Sequence, residues 1–389
     1  MNLSVPTAVT ASGNVISDTG FTIDSDGGGS FHIPGSVAYP PLVNGHDHLI
    51  GNWWPRAGTH RPYVNSHIWV EDMKDSESFH ERNRVWLNDG SFHLTEGTAP
   101  LIIDIGLYKN LFSGVGIVQD HGPNQIPEYY ANRPIRIIEK YRQCHSLTLG
   151  NWWGGEDPVE ELRQTNGEMP FIVHLGEGLD PVTQAEFEHL VELNLDAPNT
   201  VLVHGISLSA DEFRHCTETG MSVCWCPTSN LYLIGETLNI RSAIDEGTRI
   251  ILGTDSAMSG SINLFDELRN ARKILNSPQT LFRMVTSDAR RALMLNDDPN
   301  SVLVLERRKA DPFENLLAAD PNAIRFFVFA GTPVCGEARF LDAFDVNPAD
   351  YTRFRSEGTD RFVIGHPDIT LNTIAEKLGT RKSFPFLPL

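Results

Sequence analysis

Pro41-Leu42-Val43-Asn44-Gly45-His46-Asp47-His48 is the stretch on which the reading of this chain turns. Leu42-Val43 reads as a short buried strand, and Asn44-Gly45 ends it. Two histidines follow at i and i+2. Side chains two apart on a strand point to the same side, so both imidazoles can converge on one point. Imidazole suits Zn, Fe, Cu or Ni, and two on a stiff strand end make half of a metal site. The remaining ligands must come from elsewhere in the chain.

Working outward, apolar strands recur at 115–119, 146–149, 171–174, 200–204, 222–226 and 249–254. Helical patterns separate them, at 99–112, 135–141, 184–193, 210–219, 239–246, 263–275 and 279–295. Such alternation argues for a parallel α/β sheet. The polar residues decide which kind. His46 and His48, His121, His174, His204 and Asp255 each stand at the C-terminal end of an apolar strand. In a (β/α)8 TIM-type barrel those ends open onto one face, where the chemistry is done. An open sheet would spread them along a line.

Only seven such strands are legible, with about twenty residues between the third and the fourth, so the barrel is expected to be distorted. Strand patterns recur at 301–305 and 324–329, and residues 1–40 are rich in Ser, Thr, Gly and Val. Together they predict a small β-sandwich formed from both chain termini. The expected division is a composite of 1–40 with 300–389 and a barrel over 41–299. The segment 49–98 reads as a long, tryptophan-rich loop with a helix from Glu77 to Leu87. A further helix is expected at 370–379, in a tail whose role is not legible.

The chain has 389 residues, 40% apolar and 21% charged, which is a globular composition. A net charge of −19 argues against a nucleic-acid surface. No apolar run is long enough to span a bilayer, and the first residues lack the pattern of a signal peptide. Five cysteines do not make a disulfide framework, and Cys224 and Cys226 read as core. The expectation is a cytoplasmic protein with a small-molecule substrate and no nucleic-acid or membrane partner.

His46, His48, His174 and Asp255 would give three imidazoles and a carboxylate around one divalent ion, with a position open for water. The ion would lower the pKa of that water to about 7. Glu177, three residues beyond His174, is placed to shuttle protons, and His204 to orient the water. Candidate substrate contacts are His121, Asn230, and the tryptophans Trp53, Trp54 and Trp153 of two Gly-Asn-Trp-Trp phrases.

The ordered set resembles the amidohydrolase superfamily, in its branch of chlorohydrolases and cytosine- or guanine-deaminase-like enzymes. The resemblance rests on Pro41…His46-Asp47-His48, Ser113-Gly114-Val115, His174-x-x-Glu177, Val203-His204-Gly205 and Cys226-Pro227-Thr228-Ser229-Asn230-Leu231. Leu252-Gly253-Thr254-Asp255-Ser256 and the helix from Asn263 to Arg269 complete it, over about 36–335. It implies Zn or Fe held by His46, His48, His174 and Asp255, with Glu177 as proton shuttle. It implies that His204 bonds the attacking water and Asp255 takes its proton. It also implies the same distorted barrel with a composite sandwich, and by analogy a homodimer. No lysine closes a legible fourth strand, so the carboxylated-lysine bridge of binuclear relatives is absent and one ion is expected. The spacing from His48 to His174 is shorter than in many such deaminases. The expected reaction is hydrolytic deamination of a nitrogen heterocycle or cyclic amidine. Ring hydrolysis of a cyclic amide or ureide, or the reverse cyclisation, is the alternative. A catalytically inactive scaffold would lack a ligand, and none is missing.

Overall fold

A computed structural model of the chain describes residues 1–24, 29–88, 91–148 and 157–389. Among these, eight short strands run parallel in two sheets. One sheet holds Leu42–Asp47, Val115–Asp120 and Arg136–Ile137. The other holds Arg142–Ser146, Phe171–Leu175, Thr200–His204, Ser222–Trp225 and Arg249–Leu252. Helices intervene, as in a TIM-barrel-like α/β fold. Most of these strands are buried on both faces, so they read as apolar runs rather than as alternation.

Two strands correct the sequence reading. The stretch 135–141, expected as a helix, contains the strand Arg136–Ile137, which pairs with Ile117 and Val118. Isoleucines at 135, 137 and 138 favour extended backbone, and this short strand is the one the apolar count missed. The next strand lies at Arg142–Ser146 rather than 146–149, and Leu149 falls outside the described residues. Its sequence, Arg142-Gln143-Cys144-His145-Ser146, hid it, because its buried Gln143 and Ser146 carry no hydrophobic signal.

The last strand returns to the first. The N–H groups of Thr254 and Asp255 donate to the carbonyl of His46 at 3.0 and 3.1 Å. Glycine permits that approach. A Cβ on Gly45 would lie 2.8 Å from Ile251 Cδ1, and one on Gly253 would lie 2.7 Å from His46 Cβ. The His-x-His turn and Asp255 are therefore neighbours by backbone packing, before any side chain is considered.

Both chain ends build one nine-stranded sheet, ordered from Tyr351–Ser356 through Val302–Glu306 and Ser36–Tyr39 to Asn2–Val9 and Val15–Thr22. Val302, Val304, Phe326 and Val328 face a core of their own with Leu3, Val5 and Phe362. Leu303, Leu305, Phe327 and Phe329 face the main core. The tail supplies the hairpin Tyr351–Ser356/Thr359–Ile364 to this sheet and the helix Pro367–Leu378. The expected loop 49–98 holds the helices Ser66–Met73 and Glu77–Trp86. No helix among the described residues is long and apolar enough to cross a membrane.

Candidate metal centre and active site

Each expected ligand sits where a strand ends. His46 is fully buried, and neither ring nitrogen meets a partner at hydrogen-bonding geometry. Its ring centroid lies 4.8 Å from that of His48 and 5.1 Å from that of His174. His174 Nδ1 donates to the carbonyl of His145 at 2.7 Å, which fixes the tautomer and makes Nε2 the nitrogen that would ligate. Burial, reinforced by the neighbouring imidazoles, holds His46 and His174 well below the usual histidine range. Neutral imidazole is the state that ligates a metal.

Asp255 is locked into place. Its Oδ2 accepts from the hydroxyls of Ser229 and Ser259, both at 2.7 Å, and Oδ1 accepts from the N–H of Ser256 at 2.6 Å. Oδ1 also stands 3.7 Å from His48 Nε2. Burial alone would raise this carboxyl, but His48, His204 and the two serines hold it below the ordinary aspartate range. Asp255 and His204 have φ of +55° and +76°, a conformation that costs about 1–3 kcal/mol in a non-glycine residue. Surrounding bonds maintain that strain at both positions.

His204 Nδ1 lies 2.8 Å from Asn230 Oδ1 and donates to it, so Nε2 points at the site, 3.4 Å from Glu177 Oε1. Burial raises the Glu177 carboxyl above the usual glutamate range, as a proton carrier requires. Its loop is pinned from two sides. The N–H of Ser66 donates to the Glu177 carbonyl at 3.0 Å, and the N–H of Gly176 donates to Glu186 Oε2 at 2.6 Å.

His48, His174, His204, Glu177 and Asp255 all line one cavity of about 450 Å³, a volume suited to a small ligand. Trp69, Val70, Met73, Phe79 and Leu94 form its apolar wall.

Three expected substrate contacts fall elsewhere. Trp53 and Trp54 are buried, outside the cavity lining, and their indole N–H groups donate to Glu81 at 3.2 and 3.0 Å. Asn230 is fully buried and holds His204 instead of facing a ligand. Trp153 lies outside the described residues. His121 does line the cavity.

The sequence reading missed the support beneath the site. Lys109, fully buried, donates to Asn52 Oδ1 and the Asp255 carbonyl at 2.8 Å, Thr254 Oγ1 at 3.1 Å and Asp47 Oδ1 at 3.2 Å. Asn110 Nδ2 donates to Asp47 Oδ2 at 2.8 Å. The signal was present: Lys109-Asn110 is a polar pair in the helix Ala99–Leu111, which is apolar apart from it, Asp104 and Tyr108. His145, a further cavity residue, was missed because its strand was misplaced.

Residues 158–302 match the model of the amidohydrolase family, a span holding His174, Glu177, His204 and Asp255. A 5-methylthioadenosine/S-adenosylhomocysteine deaminase of Haloquadratum walsbyi is 33% identical over 271 residues, 61% of this chain and 60% of that protein. A guanine deaminase of Escherichia coli is 30% identical over 112 residues, 27% of this chain and 26% of that one. The chain thus spans less than two thirds of these relatives' length.

Among solved structures, a zinc-bound adenosine deaminase from Xanthomonas campestris superimposes with a TM-score of 0.68 at 15% identity, covering 90% of this chain and 95% of that one. The zinc complex of atrazine chlorohydrolase TrzN from Arthrobacter aurescens TC1 does so with 0.66 at 17%, covering 86% and 94%. Sequence match and shared fold together bear out the resemblance to the amidohydrolases, and the relatives matched by sequence are named as deaminases.

Proposed function

We propose that this chain is a metal-dependent hydrolase that deaminates a nitrogen heterocycle or cyclic amidine. The observation that carries the reading is the convergence of His48, His174 and Asp255 on one cavity, packed against buried His46, with Glu177 and His204 beside them. The partnerless nitrogens of buried His46, neutral imidazoles and a carboxylate fit a divalent ion, and zinc is the ion named for the structural neighbours. His46, His48, His174 and Asp255 would hold it. Bound there, it supplies Lewis-acid polarisation and makes water acidic enough to ionise near neutral pH.

The chain's own residues do the rest. Asp255 Oδ1 faces the cavity and accepts the proton of the attacking water. Glu177, its carboxyl raised by burial, delivers its proton to the ring nitrogen, is reloaded with the proton Asp255 took from the water and passes that one to the departing amine; the water's second proton, lost as the carbonyl forms, restores it. His204, its Nδ1–H held by Asn230, accepts from the attacking water through Nε2 and so orients it. Water is consumed, and ammonia and the corresponding lactam are released. The relatives named as deaminases support an aminated heterocycle as the substrate class.

The wider organisation follows the same reading. The two parallel sheets form one distorted barrel over 41–299, and the chain-end sheet folds as a sandwich from 1–40 and 300–389. We place the protein in the cytoplasm, as a dimer. The reading is tested by incubating the purified chain with a panel of aminated purines, pyrimidines and triazines and measuring free ammonia. Release that disappears in Glu177→Gln is expected. No release from any member, with metal bound and the fold intact, overturns it.

A further inference from the structure

We propose that His121 is a ligand of the metal centre, so that the ion is held by a five-donor set of His46, His48, His121, His174 and Asp255. This rests on the metal reading above and changes its ligand count.

Two groups of donors satisfy the spacing of a metal site, and they share His46. In one, His46 joins His48 and Asp255; in the other, His46 joins His121 and His174, with the donor atoms of each group within 4.8 Å of one another. Two nitrogens on one zinc ion stand at most about 4.2 Å apart, twice the Zn–N bond of about 2.1 Å. Sub-ångström movement closes either group by itself, and uniting them on one ion draws His48 and Asp255 toward His121 and His174 about the shared His46. The His121 ring lies 5.2 Å from that of His46, inside the 4.8–5.5 Å spread of the other ligand rings, 4.3 Å from that of His174, closer than any of them, and 5.9 Å from that of His48.

His121 shares the depth of the buried ligands. His121 is 1% exposed, against 0% for His46 and 7% for His174, whereas the side chain of His48 is 22% exposed. His121 thus lies at the level of the buried donors. The strands explain its position. His121 follows Val115–Asp120, which pairs with Leu42–Asp47, and its N–H donates to the Asp47 carbonyl at 2.8 Å. The backbone bond fixes it beside the His-x-His turn.

The set predicts a coordination number above four once water joins, with imidazole donors in the majority. The test uses the full chain, stripped and reloaded with Co2+. Cobalt affinity is read by chelator competition, and coordination by the visible d–d bands, which weaken as ligands are added. His121→Phe keeps a flat ring stacked on His174, and His121→Gln is the second variant should the first misfold. Melting curves of the metal-free forms check the fold.

The expected result is cobalt binding weakened by at least the roughly 10- to 100-fold that loss of an outer partner costs. Stronger d–d bands should accompany it. Unchanged affinity and spectrum in a folded variant would overturn the proposal while leaving the metal reading intact. Wild type that binds no Co2+, Zn2+ or Fe2+ would overturn both.

Discussion

The cavity has a floor and a cover, and they are built differently. The floor is polar, buried and bonded throughout: Asn44, Asp47, Asn52, Lys109, Asn110 and Thr254 tie the first strand, the last strand and the helix Ala99–Leu111 together. The cover is apolar and half-exposed. Its helices Ser66–Met73 and Glu77–Trp86 present Trp69, Val70 and Phe79 and are held by partly exposed pairs such as Lys382 with Glu81 at 2.7 Å. A fully bonded floor admits one geometry, which the chemistry needs. A wall of apolar side chains on short helices tolerates change, which suits a site whose substrate is set by shape.

The first way to break this comparison is at the chemistry. Glu177→Gln should lower kcat by about 10²- to 10⁴-fold with the fold unchanged, measured by ammonia release. A comparable loss from Phe79→Leu in the cover would mean that the two regions are not separable.

The next is at the floor. Lys109→Met leaves the Asp47 carboxylate buried without its cation and should cost about 3–5 kcal/mol in chemical denaturation. Adding Asp47→Asn should recover part of it, because the buried charge is then gone, although the amide oxygen can accept from only one of Asn52 and Asn110. No recovery would show that Lys109 acts by packing alone.

A smaller effect concerns Glu267, buried behind the site, where it accepts from the N–H of Thr228 at 3.0 Å and from the Ser261 hydroxyl. Burial raises its carboxyl from 4.5 to about 7. The folded chain therefore holds a proton that the unfolded chain releases. Its contribution is complete below pH 4.5 and is lost as pH rises through about 7, a change of about 3 kcal/mol. Glu267→Gln should flatten that slope in denaturation measured across this window, and an unaltered slope would refute the assignment.

The smallest belongs to the cover. Lys382→Ala removes a partly exposed pair and should cost less than about 1 kcal/mol while raising KM more than it lowers kcat. A fall in kcat without a change in KM would place this pair with the floor.

The same division governs what could be read from the sequence. Histidines and an aspartate at the ends of apolar strands were legible, because a barrel sends strand ends to one face whatever the loops do. Glu177 followed from its spacing to His174. The strand Arg142–Ser146 was not legible, since a buried strand made of Arg, Gln, Cys, His and Ser carries no apolar run. Lys109 was overlooked because a lysine on a helix ordinarily faces water, and only tertiary contacts show four acceptors around it. Trp53 and Trp54 misled because tryptophans on an apparent loop suggest a ligand wall. Both bond Glu81 instead, and Trp53 packs against Phe384, in a tail segment 329 residues on at Lys382.

Metal content by elemental analysis, on protein purified without chelator and on His174→Ala, tests the central claim most directly. The account predicts about one zinc or iron per wild-type chain, and loss of most of it in the variant. Wild type that carries no metal and takes none up, or a variant that retains the full amount, would contradict it.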